Sequence, residues 1–424
     1  MTAPAALERP QSTQGRRRRA LPGGARGLLL GGLGLLLLLS FVRVVSGADD
    51  LTSSGTAGAA LRLAVPIGLA GLGGLWAERA GVVNIGLEGM LILGTWFGAY
   101  AGYQYGPWAG VAAAVAAGAV GGLLHAVATV SFGVDHVVSG VAINLLGAGA
   151  AQYLSTVAYD DGSIPGAGPT QSAIVDPVAT VSLPVLSSGP DLLGRLERTG
   201  LPVLGDLGGL LRGLTADVSL LTLLAVLLVP LSVGLLWHTA FGLRLRAVGE
   251  NPVAADSLGV GVYRLKYVAV TVSGALAGLG GAALVIGSIY REGQTAGRGF
   301  IGLAAVIFGN WRPGGLAAGA GLFGYADALQ LRASGAVRAL LLLVALLLVV
   351  VAVRQALRRR IPFAVAGLLL AGAFFLWYLV VDEVPNQLVG FTPHLVTLLV
   401  LAVASQRLRP PAADGQPYRR GQQS

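Results

Sequence analysis

Residues 69–90 read LAGLGGLWAERAGVVNIGLEGM: a run of small apolar residues, the charged pair Glu78 and Arg79, then a second apolar run broken by Asn84 and Glu88. In water, each glycine inside a helix costs about 1 kcal/mol against alanine, so LAGLGG would be a poor helix there. In a bilayer the same string is packing surface, because helices in lipid associate by close backbone approach at small residues. The string returns at Leu276 to Gly281, and each copy is followed by an AGxxxIGL pattern, at Ala80 to Leu87 and at Ala296 to Leu303.

The rest of the chain is of the same kind. Of its 424 residues, 54% are hydrophobic, 12% are charged and 65 are glycine. That apolar share exceeds the roughly 45–50% of a soluble domain. Apolar runs approaching the length of about 20 residues that crosses a hydrocarbon core recur from Leu28 to Leu401. They predict an all-α, polytopic transmembrane helical bundle of about twelve spans, at 28–45, 61–76, 84–104, 108–130, 136–157, 218–237, 267–289, 300–311, 314–331, 338–353, 361–381 and 388–405. Spans 61–76 and 300–311 are short, and each is readable either as a simple crossing or as a broken or re-entrant helix, the latter tolerable only where its backbone is buried in protein or lines a cavity.

Charge fixes the expected topology. The apolar stretch after Arg16 to Arg19 and Arg26 is too long for a signal-peptide core, which makes it a first span with its N-terminus inside. Counting from there places Arg244, Arg246 and Arg264, the cluster Arg354 to Arg360 and the tail from Arg407 to Arg420 in the cytoplasm, as the positive-inside rule requires. The net charge of +9 therefore reads as topology, not as a nucleic-acid footprint. The same count makes the two LAGLGG copies enter the bilayer from opposite sides, the mark of an inverted-topology repeat with a substrate site near the midplane. The expected layout is a basic cytoplasmic tail (1–27), a first transmembrane half (28–157), a proline-rich extracytoplasmic loop (158–216) and a second half (217–332) with a cytoplasmic loop at 238–266. An inserted pair of spans (333–383), a last span (384–405) and a cytoplasmic tail (406–424) follow.

Chemistry is sparse. There is no cysteine, the four histidines are scattered without metal-ligand spacing, and no GxxxxGK[ST] phosphate loop occurs. No catalytic residue, cofactor or metal ligand is expected in this chain, and any ATP that drives it is hydrolysed elsewhere. Asn84 and Glu88, four apart, would share one helix face at membrane depth, where an ionisable group is a functional candidate. Two readings stand: Glu88 lines a passage, or it pairs with a donor to hold helices together while Asn84 caps a half-helix. The second copy has Ala304 where Glu88 aligns. Asn144, Gln152, Asn310 and Asp327 are further buried polar positions, each readable as an interhelical contact. In the cytoplasmic loop, Asn251 is placed to cap a short helix that starts with Pro252 and ends at Gly259, between two basic linkers. This helix reads as a contact for a cytoplasmic partner. An ion-coupled transporter is disfavoured by the missing second carboxylate, and a membrane enzyme by the lack of clustered His, Asp or Glu.

The segments ERAGVVNIGLEGM (Glu78 to Met90), GLRLRAVGENPVAADSLGV (Gly242 to Val260), TAGRGFIGLAAVIFGNWRPGG (Thr295 to Gly315) and FGYADALQLR (Phe323 to Arg332), with the GQPYRR tail, resemble the permease subunits of bacterial ABC importers. The similarity is to the ribose and branched-chain amino acid superfamily, in its nucleoside and simple-sugar branch. It covers about 61–332 and resumes near Val384. The resemblance implies a multi-pass cell-membrane permease working by alternating access. It implies a partner ABC ATPase, of twin-cassette type, that uses the ATP. It also implies a second permease subunit, an extracytoplasmic substrate-binding lipoprotein, and nucleosides as cargo with simple sugars as the alternative. By the same resemblance Arg246, Glu250, Asn251, Pro252, Ala254, Ala255 and Gly259 form the ATPase-coupling segment. Asn84, Glu88, Phe308 and Asn310, with Asn144, are expected along the substrate pathway. The run at 333–383 departs from the family pattern.

Overall fold

Caps and glycine contacts explain how this sequence is cut into helices. The computed structural model describes residues 24–160, 162, 164–331, 334–381 and 408–421. Among them the helices are α1 (Gly24–Ser46), α2 (Ser54–Arg79), α3 (Leu87–Tyr105), α4 (Pro107–Ala126), α5 (His136–Tyr159), α6 (Leu192–Arg198), α7 (Leu204–Thr215) and α8 (Leu220–His238). They continue as α9 (Ala240–Glu250), α10 (Pro252–Ser257), α11 (Val262–Val285), α12 (Arg298–Phe308), α13 (Pro313–Gln330), α14 (Ser334–Leu357) and α15 (Ile361–Val380). A π-helical turn, Val127–Ser131, extends α4, and the only strands described, β1 (Thr180–Val181) and β2 (Val218–Ser219), pair antiparallel. Seven of the described helices are long and apolar enough to cross a membrane, and α2 and α11 are the most buried of the seven.

The two LAGLGG strings lie in α2 and α11 and pack against each other. A Cβ on Gly73 would meet the Ser273 carbonyl at 2.4 Å, and one on Gly280 would meet the Pro66 carbonyl at 3.1 Å. Gly280 stands in the second copy where Gly73 stands in the first, and Ser273 stands where Pro66 does. The contact is thus reciprocal, the signature of a two-fold relation, and the order of the pairs makes the helices antiparallel. The other face of α11 meets α4 just as closely: a Cβ on Gly274 would lie 2.2 Å from the Gly118 carbonyl, and one on Gly278 would lie 2.2 Å from that of Ala114. Small residues let these backbones touch, as sequence reasoning expects of helices in lipid. Around this core, α14 and α15 form a peripheral hairpin whose first helix rests on α1.

Several spans differ from the sequence-based reading. The 61–76 run is part of a 26-residue helix, about 39 Å long at 1.5 Å per residue and not broken. Its first turns, polar and glycine-rich, hid the start, which Ser53 sets by accepting a hydrogen bond from the Thr56 N–H at 3.2 Å. Asn84 is not helical, because α3 begins only at Leu87, so Asn84 and Glu88 do not share a helix face, and no side chain caps α3. The 300–311 run is short as expected: α12, 11 residues, spans about 16 Å, half of a roughly 30 Å core. The AGxxxIGL match is not structurally equivalent, since Ile85 and Gly86 precede α3 whereas Ile301 to Leu303 lie within α12. The stretch before Asn251, read as a basic linker, is helix α9. Gln152 is exposed, not buried. Span 388–405 and the arginines Arg16 to Arg19 lie outside the described residues.

The segment between α5 and α8 caps one end of the bundle. Its α7 is pinned to α1 and to the start of α2 by Asp206, which accepts from the Ser40 and Thr52 hydroxyls and the Val203 N–H and pairs with Arg43 at 2.7 Å. Burial pushes the Asp206 carboxyl up, but these hydrogen bonds and the guanidinium together hold it below its usual range. The opposite end, bearing α9, α10 and Arg79, is the basic end.

Candidate functional site

The buried turn 80–86 re-enters the bundle beside Ser273 in the middle of α11, and the end of the loop 286–297 meets it where α3 and α12 start. Glu88 joins them. Its Oε1 accepts a hydrogen bond from the Gly297 N–H at 3.0 Å, and its Oε2 accepts from the Gly299 N–H at 2.6 Å. The carboxylate thus takes the N–H groups of the N-cap Gly297 and of Gly299 in the first turn of α12, at the positive end of the helix dipole, while the Arg298 N–H donates to the Thr295 carbonyl. Glycine is needed on the donor side, since Gly297 has φ +76° and a Cβ on Gly299 would lie 2.6 Å from the Glu88 nitrogen.

Asn144 of α5 holds the turn from the other side, accepting from the Gly89 N–H at 2.7 Å and donating to the Ile85 carbonyl at 3.0 Å. Asn84 is fully buried and donates to the Ser273 hydroxyl at 2.9 Å. Its Oδ1 has no hydrogen-bond partner among the described residues. His125 bridges Ser139 and the Val83 carbonyl, and His136 accepts from the Val83 N–H at 3.2 Å. Both histidines serve the turn.

Of the five residues expected along a pathway, Asn84, Glu88 and Asn144 come together here. Phe308 and Asn310 do not: they sit at the far end of α12. Phe308 packs against Phe323 with ring centroids 5.8 Å apart, and Asn310, at φ +51°, accepts a hydrogen bond from the Arg409 N–H at 2.8 Å. Asp327, the remaining polar position, pairs with Arg298 at 3.6 Å.

The basic end is built around α9 and α10. Asn251 caps α10 as its sequence predicts, its Oδ1 accepting from the Ala254 N–H at 2.9 Å with Pro252 in the first turn. Gly259, at φ +79°, follows the helix. Ala255 faces inward against Val248 and Val262, leaving Val253, Ala254 and Leu258 exposed, Leu258 at 84%. A cleft of about 470 Å³ between Leu258, Arg244, Phe241 and the start of α11 runs alongside. Arg246 donates to the Leu236 carbonyl and lies 5.4 Å from the Trp237 ring centre, as does Arg79 on α2. Arg79 also donates to the Trp311 carbonyl and lies 3.9 Å from Glu250, so the end of α2 links α9 to the turn after α12. The Trp311 indole donates to Glu78.

Residues 408–421 cross this end as an irregular segment. The Ala413 N–H donates to the Gly249 carbonyl at 2.9 Å and the Ala412 N–H to Glu250 at 3.2 Å. Asp414 is half-buried within it. Burial pushes its carboxyl up to about 7, against the pull of neighbouring Lys266. Sequence reasoning missed this segment's role in packing, the glycine donors to Glu88 and the Arg79–Trp237–Arg246 arrangement. The donors are backbone groups and carry no residue-type signal, whereas the two arginines flanking Trp237 were visible as basic residues without a partner.

Residues 56–353 match the family model described as the permease component of branched-chain amino acid transport systems. The chain is 34% identical to the guanosine ABC transporter permease protein NupQ of Bacillus subtilis, over 86% of this chain and 96% of that protein. It is 31% identical to the nucleoside ABC transporter permease protein NupC of Lactococcus lactis, over 83% and 93%. A protein of Haloferax volcanii named as a provisional glucose ABC transporter permease is 34% identical over 66% and 78%. No solved structure matches the chain. A bundle with seven described membrane-length helices, a close-packed glycine core and a family match over most of its length make this a multi-pass membrane protein that belongs to the ABC transporter permease family of branched-chain amino acid transport systems.

Proposed function

We propose that this chain is the transmembrane permease subunit of an ATP-driven importer of nucleosides. The observation that carries the substrate class is the similarity to two nucleoside-type permeases along nearly their whole lengths. The coupling part is supported by α10, a short capped helix whose exposed side is apolar at a basic end, the chemistry expected of a docking site for a cytoplasmic ATPase. In this reading Arg246, Glu250, Asn251, Pro252, Ala254, Ala255 and Gly259 shape that site, the basic end is cytoplasmic, and both termini lie on its side. The capped end faces a substrate-binding lipoprotein, and a second permease completes the passage. ATP is bound and hydrolysed by the partner ATPase, of twin-cassette type, while this chain shifts between inward- and outward-open arrangements as α3 and α12 move about the Glu88 junction. Asn84, Glu88 and Asn144 then lie beside the path.

The test is uptake of labelled guanosine and other nucleosides by cells carrying the full complex with either the parent chain or Leu258→Asp, whose exposed position leaves the fold intact. Uptake by the parent, with loss of uptake and of ATPase co-purification in the variant, is the expected result. Competition by glucose but not by nucleosides would instead favour the sugar reading that the Haloferax relative suggests.

A further inference from the structure

Residues 408–421 touch elements whose main packing partners have only α2 in common. Helix α9 packs on α8, α10, α11 and α2, whereas α12 packs on α2, α13 and α3. The segment holds the end of α9 through Gly249 and Glu250. It reaches α10 through Arg420, 3.4 Å from Asp256, and α11 through Tyr418, whose carbonyl accepts from the Tyr263 hydroxyl and whose ring lies 5.6 Å from that of Tyr263. On the other side, its Arg409 N–H donates to Asn310, two residues beyond α12. The Ala413 carbonyl lies 3.1 Å from where a Cβ on Gly81 would stand, so the segment also rests on the re-entrant turn of the first copy. Ala413 is buried.

We propose that 408–421 is a transmission strap, and that Asn310 is the positioning residue joining it to α12. The inference rests on α9 and α10 being the ATPase-docking site. A displacement imposed there moves Gly249 and Glu250, the strap moves with them, and the Asn310 joint carries the shift to the half-helix whose other end is held by Glu88. Energetic coupling between distant elements can be carried by chains of packed and hydrogen-bonded groups, and the strap supplies a second such chain beside the Arg79–Trp311 contact.

Asn310 allows a sharp test because its backbone and its side chain can be separated. Asn310→Gly keeps the left-handed turn and removes the acceptor, while Asn310→Asp keeps both. In proteoliposomes containing the whole complex, nucleoside uptake and ATP hydrolysis are measured together. The expected result is that Asn310→Gly lowers uptake per ATP hydrolysed about tenfold, within the usual span of allosteric coupling, while Asn310→Asp matches the parent. A chain ending at Arg407 should show the same split with the complex still assembled. Equal coupling in Asn310→Gly and the parent overturns the proposal. So does a proportional loss of uptake and hydrolysis in either altered chain, which would mean that the strap serves assembly. The docking reading is judged separately, by ATPase co-purification with Leu258→Asp.

Discussion

Replacing Glu88 tests whether the meeting point of the two half-helices is a clamp. Glu88 is 7% exposed and takes both N–H groups at the start of α12. Glu88→Ala orphans both donors, at about 1–3 kcal/mol each, or about 2–6 kcal/mol for the pair. Glu88→Gln keeps one acceptor and turns an amide NH₂ toward the other donor, so it loses one bond, about 1–3 kcal/mol. Local opening free energies convert to amide exchange, so protection at Gly297 to Ile301 should fall about 5- to 150-fold in Glu88→Gln and further in Glu88→Ala. Hydrogen exchange by mass spectrometry on the purified complex reads this directly, with α4 and α8 as internal references. Unchanged protection in both variants, together with a raised KM for uptake, would refute the clamp and return Glu88 to the passage wall.

Gly274→Ala drives a Cβ to 2.2 Å from the Gly118 carbonyl and should cost about 1–3 kcal/mol or more by overpacking. Gly234→Ala in α8, with nothing within 4 Å, should not lower stability in the same detergent melt. The raised Asp414 carboxyl means that the folded state favours its protonated form. Asp414's own contribution to holding the strap is therefore fully present below the ordinary carboxylate pKa and is lost as pH rises through about 7. Limited proteolysis of the tail should quicken across that range, and Asp414→Asn should flatten the profile. Asp206, held below its usual range, acts in the opposite sense: its contribution is present above about pH 4 and is lost only as the pH falls further. Asp206→Ala, which leaves Arg43 without its buried partner, should lower the neutral-pH stability of the cap by about 3 kcal/mol, read as faster exchange over 204–215.

What could be read from the sequence was whatever local chemistry fixes. Asn251, Pro252 and Gly259 delimit α10 because caps and φ preferences act within a few residues. The LAGLGG strings announced close helix packing, and the structure puts them against each other. Helix α9 was illegible for the opposite reason. It has two glycines and two arginines in a short span, and its helicity comes from burying Leu245 and Val248 and from Gly242 and Gly249 touching the carbonyls of Leu235 and Arg79. The start of α2 was hidden because Ser54 to Gly58 carry little hydrophobicity, although Ser53 caps them. Glu88 could be recognised as costly at its depth, but its partners are main-chain donors more than 200 positions away, and nothing in a residue type reveals those.

The reciprocal contact between α2 and α11 also bears on how the protein is made. The glycine faces of α2, α3 and α4 are shaped for α11, and α11 is synthesised only after the cap, α8, α9 and α10 have emerged. At roughly 5–20 residues per second, α2 waits about 10 to 40 s for its symmetry partner. Throughout that interval three helices present backbone-lined grooves to lipid or to an insertion chaperone. The arrival of α11 closes all three at once, so assembly of this half of the bundle should occur as one late step, and a chain stopped before Val262 should remain loosely packed and prone to degradation.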